Sequence, residues 1–130
     1  MSDLICRDLC MTFRDAQSGA EVEALKNINF ELKQGEILAV LGPSGCGKTT
    51  LLNMVAGFLN PTSGDLTLGG VDIEGPGAER GMVFQQGALF EWLTVARNVD
   101  FGLRMSGAPE AETAEKVLNW LDTVGLQGFG

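Results

Sequence analysis

The chain has 130 residues, 45% hydrophobic and 20% charged, a composition that fits a globular domain with a buried core and excludes a disordered or fibrous chain. Nine basic against seventeen acidic residues leave a net charge of −8, so no broad basic surface exists to neutralise a nucleic-acid backbone, and no nucleic-acid partner is expected. Cys6, Cys10 and Cys46 lack a Cys-x-x-Cys spacing, which indicates neither a disulfide framework nor a zinc site, and the absence of histidine excludes imidazole chemistry within the chain. The start, Met1-Ser2-Asp3, has no secretory-signal character, and the longest uncharged stretch, 49–64, contains Thr, Asn, Pro and Ser. It falls short of the roughly 20 apolar residues that span a bilayer, so a cytoplasmic protein with at most a peripheral membrane role is expected.

In chain order, short apolar patterns at 4–13 and 21–31 flank a polar stretch at 14–19, which predicts two strands and a connecting loop. Ile37-Leu38-Ala39-Val40-Leu41 is a continuous apolar run after the turn residues Gln34-Gly35-Glu36, the pattern of a central parallel strand covered on both faces. From 48 to 58 the period becomes helical, with Leu51, Leu52, Val55, Ala56 and Leu59 as the apolar stripe and a stop before Pro61. Residues 65–68 and 71–73 flank Gly69-Gly70, which predicts a hairpin with a type I′ turn. Arg80-Gly81-Met82-Val83-Phe84 reads as another buried strand leading into Gln85-Gln86. Thr94 is positioned to cap a helix from 95 to about 105, and Ala114, Val117, Leu118 and Leu121 form a second helical stripe ending at Gly125. This organisation divides the chain into a core at 1–87 and the beginning of a helical subdomain at 88–130.

Between the predicted central strand and its helix lies Gly42-Pro43-Ser44-Gly45-Cys46-Gly47-Lys48-Thr49, which satisfies G-x-x-x-x-G-K-[ST] at every fixed position. Glycines let such a backbone curl so that successive N–H groups face phosphate oxygens, and the following helix adds its positive N-terminal dipole. In that chemistry Lys48 supplies a point charge to the β- and γ-phosphates, and Thr49 offers a hydroxyl to the Mg²⁺ that bridges them. The dinucleotide fingerprint G-x-G-x-x-G does not fit the spacing of Gly42, Gly45 and Gly47 and has no place for Lys48.

Leu41 through Leu52, with Thr50 following Thr49, resembles the Walker A region of ABC-transporter ATPases, and Ala56-Gly57 with Pro61-Thr62-Ser63-Gly64 continues the likeness. Gly81-Met82-Val83-Phe84-Gln85 resembles the Q-loop of that family, and Leu93-Thr94-Val95 with Asn98-Val99-Asp100-Phe101-Gly102-Leu103 resembles the start of its helical subdomain. The resemblance implies an α/β P-loop NTPase core with an N-terminal β-rich subdomain, truncated early in the helical subdomain. It implies ATP and Mg²⁺ as cofactors, with Gly42, Pro43, Ser44, Gly45, Cys46, Gly47, Lys48, Thr49 and Thr50 holding the phosphates. Lys48 and Gln85 are the implied catalytic residues, Thr49 and Gln85 the metal contacts, and Phe13 the aromatic that stacks on adenine. Cys46 sits where the backbone matters more than the thiol. Glu74-Gly75-Pro76-Gly77-Ala78-Glu79-Arg80-Gly81 narrows the likeness to importers of nitrate, sulfonate and taurine; Glu91 departs from the Leu-Leu-Pro-Trp-like run often found there. Leu89, Phe90 and Trp92 suit either contact with a permease or packing at the base of the helical subdomain.

The implied partners are a membrane permease subunit, a second ATPase subunit forming a homodimer, and, indirectly, a periplasmic or surface solute-binding protein. The implied location is the cytoplasmic face of the plasma membrane. No apolar run ends in Asp-Glu and no Ser-Gly-Gly occurs, so the chain resembles the N-terminal half of such a subunit and is expected to be inactive alone, with unpaired strand edges and exposed apolar surface. Two other readings stay open on the residues: a different P-loop phosphotransferase or GTPase, although no Asn-Lys-x-Asp guanine motif occurs, and a nucleotide-binding fragment without turnover.

Overall fold

A computed structural model of the chain describes residues 3–129. Strands β1 (Leu4–Arg14) and β2 (Glu21–Leu32) pair antiparallel in register from Leu4 opposite Leu32 to Arg14 opposite Glu21. The register shifts between Cys6 and Leu9, and Asp8 and Asn27 both take positive φ, a conformation that short hydrogen-bonding side chains tolerate better than most. Helix α1 (Lys48–Ala56) follows, then strands β3 (Ser63–Leu68) and β4 (Val71–Asp72). The sheet order is β2-β1-β3-β4, antiparallel throughout. Gly69 and Gly70 both have positive φ at the β3–β4 turn, the requirement of the expected hairpin.

Cys6, Leu9, Leu25, Leu66, Leu51 and Met54 form the core, one face of the sheet against one face of α1, with Val55, Leu59, Ile28 and Phe30 packed around them. The apolar face of α1 is set by Leu51, Met54 and Val55, an i, i+3, i+4 row; of the expected stripe Leu51, Val55 and Leu59 pack inward, whereas Leu52 is 48% exposed and Met54 takes the buried place. The helix ends at Ala56 rather than 58. Gly57 turns left-handed, Phe58 N–H donates to Asn53 O at 2.9 Å and Gly57 N–H to Met54 O at 3.0 Å, which satisfies the last carbonyls in a Schellman pattern. Leu9 is fully buried, so Leu9→Ala is expected to cost about 3 kcal/mol through lost transfer energy and the cavity left behind. Urea denaturation followed by circular dichroism reads this; a loss under about 1 kcal/mol would show that the β1 centre is not close-packed.

Two expected strands are not formed. Residues 37–41 and 80–84 are irregular, with Ile37 97%, Leu41 90% and Val83 95% exposed. A parallel strand buried on both faces needs a hydrogen-bonding neighbour along each edge and cover above and below. The described strands instead pair with one another, and none lies along 37–41 or 80–84.

The chain forms two compact units, the first ending at Met82 and the second beginning at Val83, a few residues before the division expected at 87. In the second unit, Thr94 caps helix α2 (Val95–Met105) by accepting from Arg97 N–H at 3.2 Å, as the sequence indicates. Helix α3 (Glu110–Thr123) buries Thr113, Val117 and Leu121; Leu118, placed in the same stripe by the sequence, is 68% exposed. Gly125, at positive φ, donates to Asp122 O, and Leu126 N–H reaches Leu121 O at 2.7 Å, which closes α3. Among the described residues, no helix is long and apolar enough to cross a membrane.

Candidate functional site

Residues 42–50 join irregular chain to the start of α1. Cys46 N–H donates to Pro43 O at 3.3 Å, which closes a turn, and Gly45 and Gly47 adopt φ +79° and +99°. A side chain at Gly47 would lie 2.5 Å from Ala24 O and 2.8 Å from Leu25 Cδ2, so only glycine lets the loop reach β2 there. Gly42 is confined in another way: its Cβ would meet Cys46 Sγ at 2.6 Å. Gly47 is therefore fixed by both its positive φ and a backbone neighbour, whereas Gly42 is crowded only by the Cys46 side chain.

Lys48 is the first residue of α1, and its side chain folds back into the loop. Its Nζ donates to Gly42 O, to Pro43 O at 2.8 Å and to Cys46 Sγ at 3.6 Å. The three donors of the ammonium thus meet three acceptors of one loop, which places a positive charge inside the arc of 42–46. The first hydrogen bond from the helix interior to its cap is Leu51 N–H to Gly47 O at 2.9 Å, so the N–H groups of Lys48, Thr49 and Thr50 precede the ladder. No side chain caps α1 and no acidic residue lies in its first turn. Backbone donors, helix dipole and Lys48 together favour an anion there in a protein of net charge −8. Thr49 is exposed on this first turn, with its hydroxyl chemistry suited to a divalent cation. Pro43, Ser44, Gly45 and Cys46 are exposed loop residues.

The remaining expected residues lie apart in the chain. Phe13 is on β1, 39% exposed, opposite Val22, two residues from the Ala24 that Gly47 approaches. Gln85 is in the second unit, exposed in irregular chain before α2. Of the apolar trio nearby, Phe90 packs its ring 4.5 Å from that of Phe101 and 5.3 Å from that of Trp92, while Leu89 and Trp92 are 74% and 80% exposed. Phe90 thus takes the packing role. Sequence reading missed Asn98 as the organiser of this segment: its amide donates to Phe90 O, Leu93 O and Thr94 O and accepts from Phe90 N–H at 2.8 Å. An asparagine inside the first turn of a helix was the available signal, because it competes for backbone groups there.

The thiols separate by environment. Burial pushes the Cys6 thiol up to about 11, against a smaller opposing effect of a backbone hydrogen bond at Leu9, whereas Cys46 is exposed. Iodoacetamide at about pH 8 is expected to label Cys46 at least about a hundredfold faster than Cys6, read by mass spectrometry of the peptides; equal rates would contradict the packing of Cys6. The unfolded chain releases the Cys6 proton first, near the ordinary ~8.5, so this group's stabilising contribution falls as pH rises from there to about 11.

A family model described as ABC transporter matches residues 25–129. The taurine import ATP-binding protein TauB of Pelagibacter ubique (strain HTCC1062) is 67% identical over 130 residues, all of this chain and 49% of that protein. TauB of Jannaschia sp. (strain CCS1) is 55% identical over 129 residues, 99% of this chain and 48% of that protein. The chain spans about half the length of the curated relatives it matches. Among solved structures, MJ0796, a bacterial ABC transporter cassette in dimeric form, is similar with a TM-score of 0.81 and 26% identity over 96% of this chain and 58% of that one. The same cassette in a dimeric post-hydrolysis state bound to ADP and Pi gives a TM-score of 0.79.

Proposed function

This chain belongs to the ABC transporter family, and we propose that it carries the nucleotide-binding half of the ATP-binding subunit of an importer for taurine-like sulfonates. The observation that carries the reading is the loop at 42–50, wound around the Lys48 ammonium at the uncapped start of α1. Lys48 and the N–H groups of residues 47–50 hold the phosphates of ATP, with the positive end of α1 behind them. The donor set fits Mg²⁺ as well, because Thr49 presents a hard oxygen on the turn that receives the phosphates. Thr49 would hold such an ion, which would supply positive charge to offset that of the phosphates. Phe13 offers a flat apolar face for adenine, and Gln85 orients water and reports to a permease.

Names of the relatives support taurine import as the task of the whole protein, in which two ATPase subunits close on ATP at the inner face of the membrane and hydrolysis resets the permease. A solute-binding protein delivers the sulfonate from outside. Calorimetry of the 130-residue chain is expected to give saturable MgATP binding, with MgGTP weaker by about tenfold and no sustained phosphate release. Selective GTP binding would favour a different P-loop enzyme, and the absence of any MgATP binding by the folded chain would reject the proposal.

A further inference from the structure

Arg80 stands five residues before Gln85 in what the sequence presents as an apolar strand. In the structure it closes a turn, its N–H donating to Gly77 O at 3.1 Å, and its side chain is only 12% exposed. The guanidinium donates to Gly75 O and, at 3.4 Å, to Val55 O, and pairs with Glu79 Oε1 at 3.1 Å. Its Nε is buried without a hydrogen-bond partner, so the group is held by these contacts rather than by solvent. Val55 lies in the last turn of α1, where carbonyls lack intrahelical partners and a cation is favoured by the dipole. That turn has no basic residue of its own, and Arg80 supplies the cation from 25 residues downstream. A second tie lies beside the first: a Cβ at Gly57, the cap of α1, would fall 2.1 Å from Gly75 O, so the two backbones are in direct contact.

We infer that Arg80 is a positioning residue that joins the C-terminal end of the phosphate-loop helix to the segment entering Gln85, so that nucleotide occupancy at one end of α1 changes the order of residues 75–84. The inference rests on the proposed ATP binding at 42–50. Helix α1 is a single rod of nine residues from Lys48 to Ala56, with the phosphate site at its N-terminus and Arg80 at its C-terminus. A hydrogen-bonded helix is a rigid element able to carry coupling between its ends, and Arg80 holds carbonyls on both sides of the junction. Glutamine at 80 keeps polarity and much of the stem but cannot span the two carbonyls, and lysine satisfies one of them at a time.

Hydrogen exchange of the 130-residue chain with and without MgATP tests this by mass spectrometry, alongside calorimetry. Wild type is expected to slow by about fivefold or more in both 48–56 and 75–84 on binding. Arg80→Gln is expected to bind MgATP within about threefold of wild type and to slow in 48–56, while the response at 75–84 falls below about twofold. Arg80→Lys is expected to lose about half of the response at 75–84, and it decides the matter if Arg80→Gln does not fold. An undiminished response at 75–84 in the folded variants overturns the inference, as does a wild-type response confined to 48–56. No heat of binding and no slowing anywhere in wild type overturns the ATP-binding reading itself.

Discussion

Lys48→Ala is expected to lower MgATP affinity at least about a hundredfold in a chain that keeps its fold, because the phosphates lose the ammonium that is held inside the loop. Retention of the fold follows from the surroundings. Alanine is the best helix former, and the carbonyls of Gly42 and Pro43 that Lys48 leaves behind are on exposed residues where water replaces it. Calorimetry with circular dichroism as the folding control reads the result. Unchanged affinity would remove Lys48 from the site and with it the proposed use of the loop.

Gly47→Ala is expected to be the most damaging small substitution in the same loop, and Gly45→Ala provides its control. Both positions have positive φ, which costs an alanine roughly 1 kcal/mol. At Gly45 the new methyl group meets nothing within 4 Å, so the cost ends there. At Gly47 the methyl group would lie 2.5 Å from a backbone oxygen of β2 and 2.8 Å from Leu25, a core residue that is 7% exposed. The backbone oxygen cannot swing aside, and the Leu25 methyl is held by the core around it. Relief requires the loop and the start of α1 to move off β2, for a total of about 3 kcal/mol and loss of the phosphate-binding geometry. Denaturation midpoints and MgATP titration of the two variants should separate: Gly45→Ala modestly destabilised, Gly47→Ala strongly destabilised and unable to bind. Equal behaviour would show that the approach of Gly47 to β2 is not a constraint.

Arg80 marks the boundary of what the chain's pattern reveals. Its neighbours Met82, Val83 and Phe84 have the composition of a buried strand, yet Val83 is almost wholly exposed. A lone arginine before an apolar run carries no signal that it serves the carbonyl of a helix 25 residues earlier. Phe90 and Trp92 were likewise indistinguishable in sequence, and only packing against Phe101 separates the half-buried ring from the exposed one.

What the amino-acid sequence determined by itself was local and dihedral. The motif from Gly42 to Thr49, the start of α1 after Gly47, the Gly69-Gly70 turn, the Thr94 cap and the close of α3 at Gly125 follow from glycine's freedom at tight turns and, at the helix ends, from hydrogen bonds between residues at most five apart. The tertiary structure decided everything that depends on a distant partner. Residues 37–41 have strand composition but no described ladder, α1 buries Leu51 and Met54 rather than Leu52, and Lys48 is presented inside a loop whose last glycine rests on β2. The physical reason is that a helix end or a turn satisfies its own backbone groups, whereas a strand, a buried face and a bridging cation are completed only by atoms brought from elsewhere in the chain.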